Sequence, residues 1–265
     1  MNHAEFRFYA ELNDFLTPSR RLVPFSYSFE VSGSVKDMIE SLGVPHTEVD
    51  LILANGESVD FSCLVRDGDR ISVYPVFESI DIAPIVRVRP QPLRETRFIL
   101  DTHLGRLASY LRMLGFDTLY RSDYQDDELL RVSRSEGRIL LTRDRNLLKR
   151  RAVEHGYCVR ETNPRRQLLE SLARFDLFDR LAPFTRCLRC NGLLEPVAKQ
   201  LVAGRLPPET RQHYEEFHLC NTCGRVYWKG SHYRRMQRFI EELSRTGAWP
   251  VTVSICSAAP ASPAE

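Results

Sequence analysis

The chain has 265 residues, 43% of them hydrophobic, enough for one large domain or two to three small ones with a real core. No stretch approaches the ~20 apolar residues of a membrane span, and the start, MNHAEFRFYAEL, lacks the basic-then-apolar order of a secretory signal, so a cytoplasmic protein is expected. The net charge of +2 hides a division: residues 1–80 hold 6 basic against 13 acidic residues (net −7), and the rest 31 against 22 (net +9). A polyanion would sit on the basic body, or the two parts simply attract one another.

Within residues 1–80, FRFYAEL and SYSFEV read as strands, and Ser34 is placed to cap the helix VKDMIESLG, which stops at Gly43. VDLILANG ends in an Asn-Gly turn, and DGDRISVYP supplies a last strand. This α+β order suits a β-grasp fold. The stretches SVKDMIESLGVPHTEVDLILANG and RDGDRISVYPVF resemble the ubiquitin-like sulfur-carrier and molybdopterin-synthase small-subunit group. Chemistry in that group needs a free C-terminal Gly-Gly, whereas here YPVFESID runs into more chain, so a binding or regulatory module, with a protein partner, is the better reading. Residues 81–96, rich in proline, read as a linker.

From RFIL onward strand-like and helix-like runs alternate: RFILD, HLGRLASYLRMLG, DTLYR, DDELLRVSRSEG, RILLT, RNLLKRRAVEHG, YCVRE and PRRQLLESLARF. Leu104, Leu107, Ala108, Leu111 and Leu114 keep helical spacing, and Asn163 is placed to cap a helix opened by Pro164. Such βα units imply an α/β domain over residues 97–182, a mostly parallel sheet flanked by helices, with functional groups just beyond the carboxyl ends of the strands. Asp101 and Asp144 close two of those strands, and Asp126 opens a helix starting on the same edge. Each acid alone suits an N-cap. Three together repel unless a cation neutralises them, and oxygen ligands with open water positions suit Mg²⁺ or Mn²⁺. Such ions activate water for attack on a phosphodiester, with Arg106, Arg143 and Arg145 near enough in sequence to hold phosphate.

Four of the seven cysteines form two C-x-x-C pairs, Cys187/Cys190 and Cys220/Cys223, the pattern of four thiolates around one structural Zn²⁺ in a module spanning residues 183–248. LPPETRQHYEEF reads as a helix inserted between the knuckles; His213, His218 and His232 are alternative ligands or ordinary surface histidines. Arg180 to Arg245 holds twelve basic against six acidic residues, and RVYWKGSHYRRM interleaves Tyr227, Trp228 and Tyr233 with Arg225, Lys229, Arg234 and Arg235. Aromatic faces stack bases and cations hold phosphates, as single-stranded RNA binding requires. The same aromatics could instead seal the small core beside the zinc. The last residues, 249–265, are small, Pro-rich and expected to be disordered.

The segments ILDTHLGRLASYLRMLGFDT, DDELL, GRILLTRDRNLL, FTRCLRCNG and CNTCGRVYWKGSHYRRM resemble the Mut-seven C-terminal ribonuclease family, a PIN-like group often preceded by a ubiquitin-like domain. The resemblance implies a metal-dependent endoribonuclease with acids at Asp101, Asp126 and Asp144, Asp127 being the alternative to Asp126. It also implies an RNA substrate, and PIN-like domains often pair as homodimers. PIN nucleases commonly add a fourth acid where this chain has Asn146, so a non-catalytic RNA-binding or adaptor protein with a degenerate site is the competing reading.

Overall fold

The computed structural model describes residues 1–75, 87–88 and 96–245. The expected tail (249–265) and most of the expected linker lie outside the described residues; within the linker Val88 is buried in the front core. Among the described residues no helix is long and apolar enough to cross a membrane.

The front is a five-stranded sheet of β1 (Asn2–Phe8), β2 (Phe25–Phe29), β3 (Leu51–Ala54), β4 (Glu57–Val59) and β5 (Arg70–Tyr74), with helix α1 (Val35–Ser41) against it. Its order β2-β1-β5-β3-β4, with β1 parallel to β5 and the other pairs antiparallel, is that of a β-grasp fold. Local chemistry sets the turns. The Ser34 hydroxyl accepts from the Asp37 N–H and so caps α1. Asn55 and Gly56 both take positive φ (+53° and +92°), the conformation a two-residue hairpin turn demands between β3 and β4.

The second sheet is all parallel, in the order β7-β6-β8-β9: β6 (Arg97–Leu100), β7 (Asp117–Tyr120), β8 (Ile139–Thr142) and β9 (Gly156–Cys158). Helices α2 (Gly105–Met113), α3 (Asp126–Glu136), α4 (Arg145–Lys149) and α5 (Pro164–Arg174) connect and cover it. Because alternate side chains face opposite sides of a sheet, its two faces fill two cores. Phe98, Leu100, Ile139 and Leu141 pack with Leu107 and Leu111 of α2 and Leu168 and Leu172 of α5. Ile99 and Leu140 pack with Leu129 and Leu130 of α3, with Leu147 and Leu148 of α4, and with the front domain. Burial on both faces explains why β6 and β8 read as unbroken apolar runs.

The third part is a small antiparallel sheet of β10 (Leu194–Val197), β11 (Phe217–Cys220) and β12 (Val226–Trp228), with α6 (Lys199–Val202) and α7 (Pro208–His213) filling the predicted excursion. The chain then forms α8 (Ser231–Arg245), which returns to the parallel sheet: Ile240 and Leu243 are buried in the α2–α5 core, and Phe239 lies 5.4 Å from the Tyr110 ring. Helix α8 and the parallel sheet therefore share one core.

The β-grasp unit docks on the α4–β9 side of the parallel sheet. Phe15 receives the guanidinium groups of Arg145 and Arg160 on its ring, 4.7 and 5.1 Å from the centroid. His46 bridges the Glu40 carboxylate (2.6 Å) and the Val153 carbonyl (2.7 Å). Glu48, almost fully buried, accepts from the Cys158 N–H (2.6 Å) and from Arg160 (3.2 Å). Burial pushes the Glu48 carboxyl up, against the pull of Arg160, Arg174 and the Cys158 N–H. The charge asymmetry of the sequence is thus used between the two domains. One helix is also shorter than its pattern. RNLLKRRAVEHG has a helical pattern, but α4 ends at Lys149; Arg150 takes extended backbone and pairs with Asp126 and Asp127, and Val153 turns into the interdomain core.

Candidate functional site

An open cleft of about 1070 Å³ lies beyond the carboxyl ends of β6, β7 and β8. It is lined by Asp101, Asp126 and Asp144, by Arg106 and Arg143, and by Thr102, His103, Gly105, Tyr120, Tyr124, Thr162, Pro164 and Gln167. All of these come from residues 101–167, so among the described residues none of the acidic front lines the cleft. Parallel connectivity delivers the acids to one edge, as the strand order requires.

Asp101 is 8% exposed and fully engaged: Oδ1 accepts from the Thr102 N–H (2.5 Å) and Oδ2 from the Thr142 hydroxyl (2.7 Å). Asp144 caps α4, its Oδ1 accepting from Asn146 (2.7 Å) and Leu147 (3.4 Å) backbone N–H groups; Oδ2 makes no hydrogen bond among the described residues. Capping and ligation are therefore compatible on one carboxylate. Thr142 joins the two acids, because the hydroxyl that donates to Asp101 also accepts the Asp144 N–H (2.9 Å). Arg106 and Arg143 are exposed and form no ion pair among the described residues, which leaves both cations open to a ligand.

Asp126 lines the cleft with Oδ2 3.3 Å from Arg150; Asp127 pairs with the same arginine at 2.8 Å and is not part of the lining. Asn146 is exposed and also lies outside it, while Arg145 is drawn onto Phe15. Sequence reasoning missed Thr142, Tyr120 and Gln167. Thr142 was recognisable as the last strand residue before Arg143-Asp144; Tyr120 and Gln167 need the fold to reach the edge. Gly105 is required where α2 meets Tyr120, since a Cβ there would fall 2.6 Å from the tyrosine oxygen.

Thr142→Val keeps the shape and removes the hydroxyl, leaving the Asp144 N–H and the Asp101 carboxylate each short of a partner. A stability loss of about 1–3 kcal/mol is expected in chemical denaturation. Unchanged stability would mean that the hydroxyl does not hold the two acids.

The four cysteines converge. Cys187 and Cys223 Sγ atoms are 3.6 Å apart, those of Cys190 and Cys220 3.4 Å, and all four lie within 4.8 Å of one another. Among the described residues this is the group of three or more such ligands that meets so closely; the three cleft carboxylates do not. Four thiols in this arrangement match the donor set and closed tetrahedral geometry of a structural zinc site. Burial raises the Cys187 thiol, but donation from the Tyr227 hydroxyl and from the Cys190 and Arg189 N–H groups outweighs it and brings the group to about 6. Gly192 lets the knuckles meet: a Cβ there would lie 2.3 Å from the Thr222 hydroxyl and 2.9 Å from Cys220 Sγ.

The first knuckle is tied to the parallel sheet. Arg112, 3% exposed, donates to the Thr118 carbonyl of β7 (2.8 Å) and to Leu188 and Arg189 carbonyls of the knuckle (3.2 and 2.8 Å). Asn191 donates to Asp117 (2.8 Å) and accepts from the Thr118 N–H (2.9 Å).

The basic–aromatic segment divides. Tyr227 turns its hydroxyl to Cys187 (3.0 Å), and the Tyr233 ring packs 4.3 Å from Phe184, so both serve packing. Lys229 pairs with Glu216 (2.5 Å). Arg225, Arg234 and Arg235 remain exposed, and Trp228 lines a second groove beside Arg234.

Comparison with known proteins accords with this architecture. Residues 96–240 match the model of the Mut7-C RNAse domain, and residues 1–81 that of the Mut7-C ubiquitin domain. Two crystal structures of small archaeal modifier protein 1 from Haloferax volcanii align over 29% and 30% of this chain and 100% of theirs, at 17% and 16% identity and a TM-score of 0.24 each. No curated protein matches the chain. With more than half of its length in the first match, the chain belongs to the Mut7-C RNAse domain family and carries that family's ubiquitin-like domain in front.

Proposed function

We propose that the protein is a metal-dependent endoribonuclease that hydrolyses RNA phosphodiester bonds in the Asp101–Asp126–Asp144 cleft. The observation that carries this reading is one open cleft at the carboxyl edge of a parallel sheet, holding three carboxylates and two arginines that form no ion pair among the described residues. The donor chemistry suits a hard cation, with oxygen ligands and an Asp144 Oδ2 that makes no hydrogen bond among the described residues; the three carboxylates do not converge as the cysteines do, so water would have to complete the coordination of a bound ion. A bound Mg²⁺ or Mn²⁺ would supply an activated water and neutralise charge on the phosphate. Arg106 and Arg143 hold the phosphodiester oxygens, Thr142 keeps Asp101 and Asp144 in register, and Tyr120 and Tyr124 wall the cleft beside the substrate. One structural Zn²⁺ would be held by Cys187, Cys190, Cys220 and Cys223, and Arg225 and Arg234 add to the RNA surface.

A second reading, an RNA-binding or adaptor protein without turnover, draws on the Arg150 pairing of Asp126, which already neutralises one acid of the trio. One experiment separates them: incubation of a mixed RNA pool with Mn²⁺, wild type beside Asp144→Asn. The nuclease reading expects multiple turnovers, lost with chelator and reduced on the order of 10³-fold by the substitution, since metal stabilisation is worth several kcal/mol. Cleavage surviving Asp144→Asn would refute the assigned chemistry, and salt-sensitive binding without turnover would favour the second reading.

A further inference from the structure

The second groove lies wholly within the ribbon and has a volume of about 560 Å³, within the range of small-ligand sites. The inserted helix α7 forms one wall with Glu209, Thr210 and His213, followed by Tyr214; the other wall is Trp228, Gly230, Ser231 and Arg234. Several of its groups have work left to do. Thr210 is 8% exposed, and its hydroxyl makes no hydrogen bond among the described residues, although it lines the groove. His213 binds the Glu209 carbonyl through Nδ1 (2.8 Å), which leaves Nε2 open. Arg234 is exposed and forms no ion pair among the described residues. Ser231 begins the 15-residue helix α8, whose first N–H groups have no acceptor within the helix and favour an anion.

Trp228 is held for this purpose. A Cβ at buried Gly230 would come 2.9 Å from its indole nitrogen, so the glycine lets the chain turn tightly against the ring. Two aromatic side chains, a free cation and a helix N-terminus around one groove are the elements that take an unpaired base and its phosphate.

We propose that this groove is a subsite for one unpaired RNA nucleotide, its base lying against Trp228 and Tyr214 and its phosphate held by Arg234 and the first turn of α8. Thr210 and His213 then meet polar edges of the base or ribose, and the exposed Glu209 carboxylate stands ready to accept from an exocyclic amine. The proposal rests on the ribonuclease reading only in taking RNA as the ligand, and it changes how the basic segment works. Tyr227 and Tyr233 are packing residues, and a single aromatic pocket replaces an extended stacking surface.

The test measures binding of a short unstructured RNA, by fluorescence anisotropy, to full-length Asp144→Asn protein without divalent ions. Arg234→Ala and Trp228→Ala should each weaken binding at least about fivefold, the lower end for loss of a stacked base. Thr210→Val should weaken it measurably, while Arg235→Ala, an equal change of charge outside the groove, should cost less than about twofold. Because Trp228 also packs near Phe217, its variant is read only if zinc content is retained; Arg234→Ala and Thr210→Val decide otherwise. Equal losses for Arg234→Ala and Arg235→Ala would reduce the groove to part of a general basic surface, and no loss for either would also overturn the subsite. Cleavage of the same RNA by wild type with Mn²⁺ is scored separately. Groove-dependent binding without cleavage sinks the nuclease reading alone, and cleavage with groove-independent binding sinks the subsite alone.

Discussion

Stripping the metal from the four cysteines, or Cys220→Ser, is expected to unfold the β10–β12 ribbon while most of the parallel sheet survives. Among the described residues the ribbon's own core has Val202, Leu206 and Phe217 as its buried apolar side chains. At about 1.5–3 kcal/mol each, they cannot offset an ordering cost of about 1–2 kcal/mol for every backbone residue of the ribbon. A structural zinc site contributes on the order of 10–16 kcal/mol at neutral pH, more than those three side chains together, so the ribbon depends on it. Loss of the ribbon would also withdraw the Leu188 and Arg189 carbonyls from Arg112, leaving a buried guanidinium short of acceptors beside β7. Hydrogen exchange should therefore show lost protection across residues 187–228 first, then across β7, with α8 retained through Ile240 and Leu243. A Cys220→Ser protein with full protection in the ribbon and no bound zinc would refute this account.

Glu48→Leu is expected to cost about 3–5 kcal/mol, the range for removing one partner of a buried charge pair. Glu48 is 1% exposed and reaches from the β-grasp unit to the Cys158 N–H and Arg160. Leucine would leave a buried N–H without an acceptor and, among the described residues, Arg160 with the more exposed Asp14 as its remaining ion pair. Glu48→Gln should cost less, because its amide oxygen can still accept from Cys158. Since β9 neighbours β8, which leads into Asp144, the leucine variant should also raise the exchange of Leu140–Thr142 amides. Equal stability of the leucine and wild-type proteins would mean that the docked arrangement contributes nothing to the parallel sheet.

Features written in neighbouring residues were legible before the structure. Ser34 before α1, Gly43 after it, Asn55-Gly56 between β3 and β4 and Asn163-Pro164 before α5 each act within four residues, and all sit where their chemistry requires. The strand-ending acids were legible for a related reason: alternating βα units fix which sheet edge they reach. The features that sequence could not supply depend on residues far apart in the chain. Arg145 reads as a phosphate contact because it adjoins Asp144, but Phe15, 130 positions earlier, takes its guanidinium. Tyr227 and Tyr233 look like stacking residues until Cys187 and Phe184 are placed beside them. The early end of α4 has the same origin, since nothing in RNLLKRRAVEHG announces that a separate domain will claim Val153.

The shared core of the β-grasp unit and the parallel sheet also bears on how the protein is made. Translation completes the first 75 residues before any strand of the parallel sheet leaves the ribosome, and domains tend to fold in that order. Phe15, His46 and Glu48 would then be waiting as a finished surface when residues 145–160 emerge, so the apolar side of β8 and β9 meets a partner at once. An acidic domain that takes no part in the cleft wall would in that way act as a chaperone in cis for the sheet that carries it.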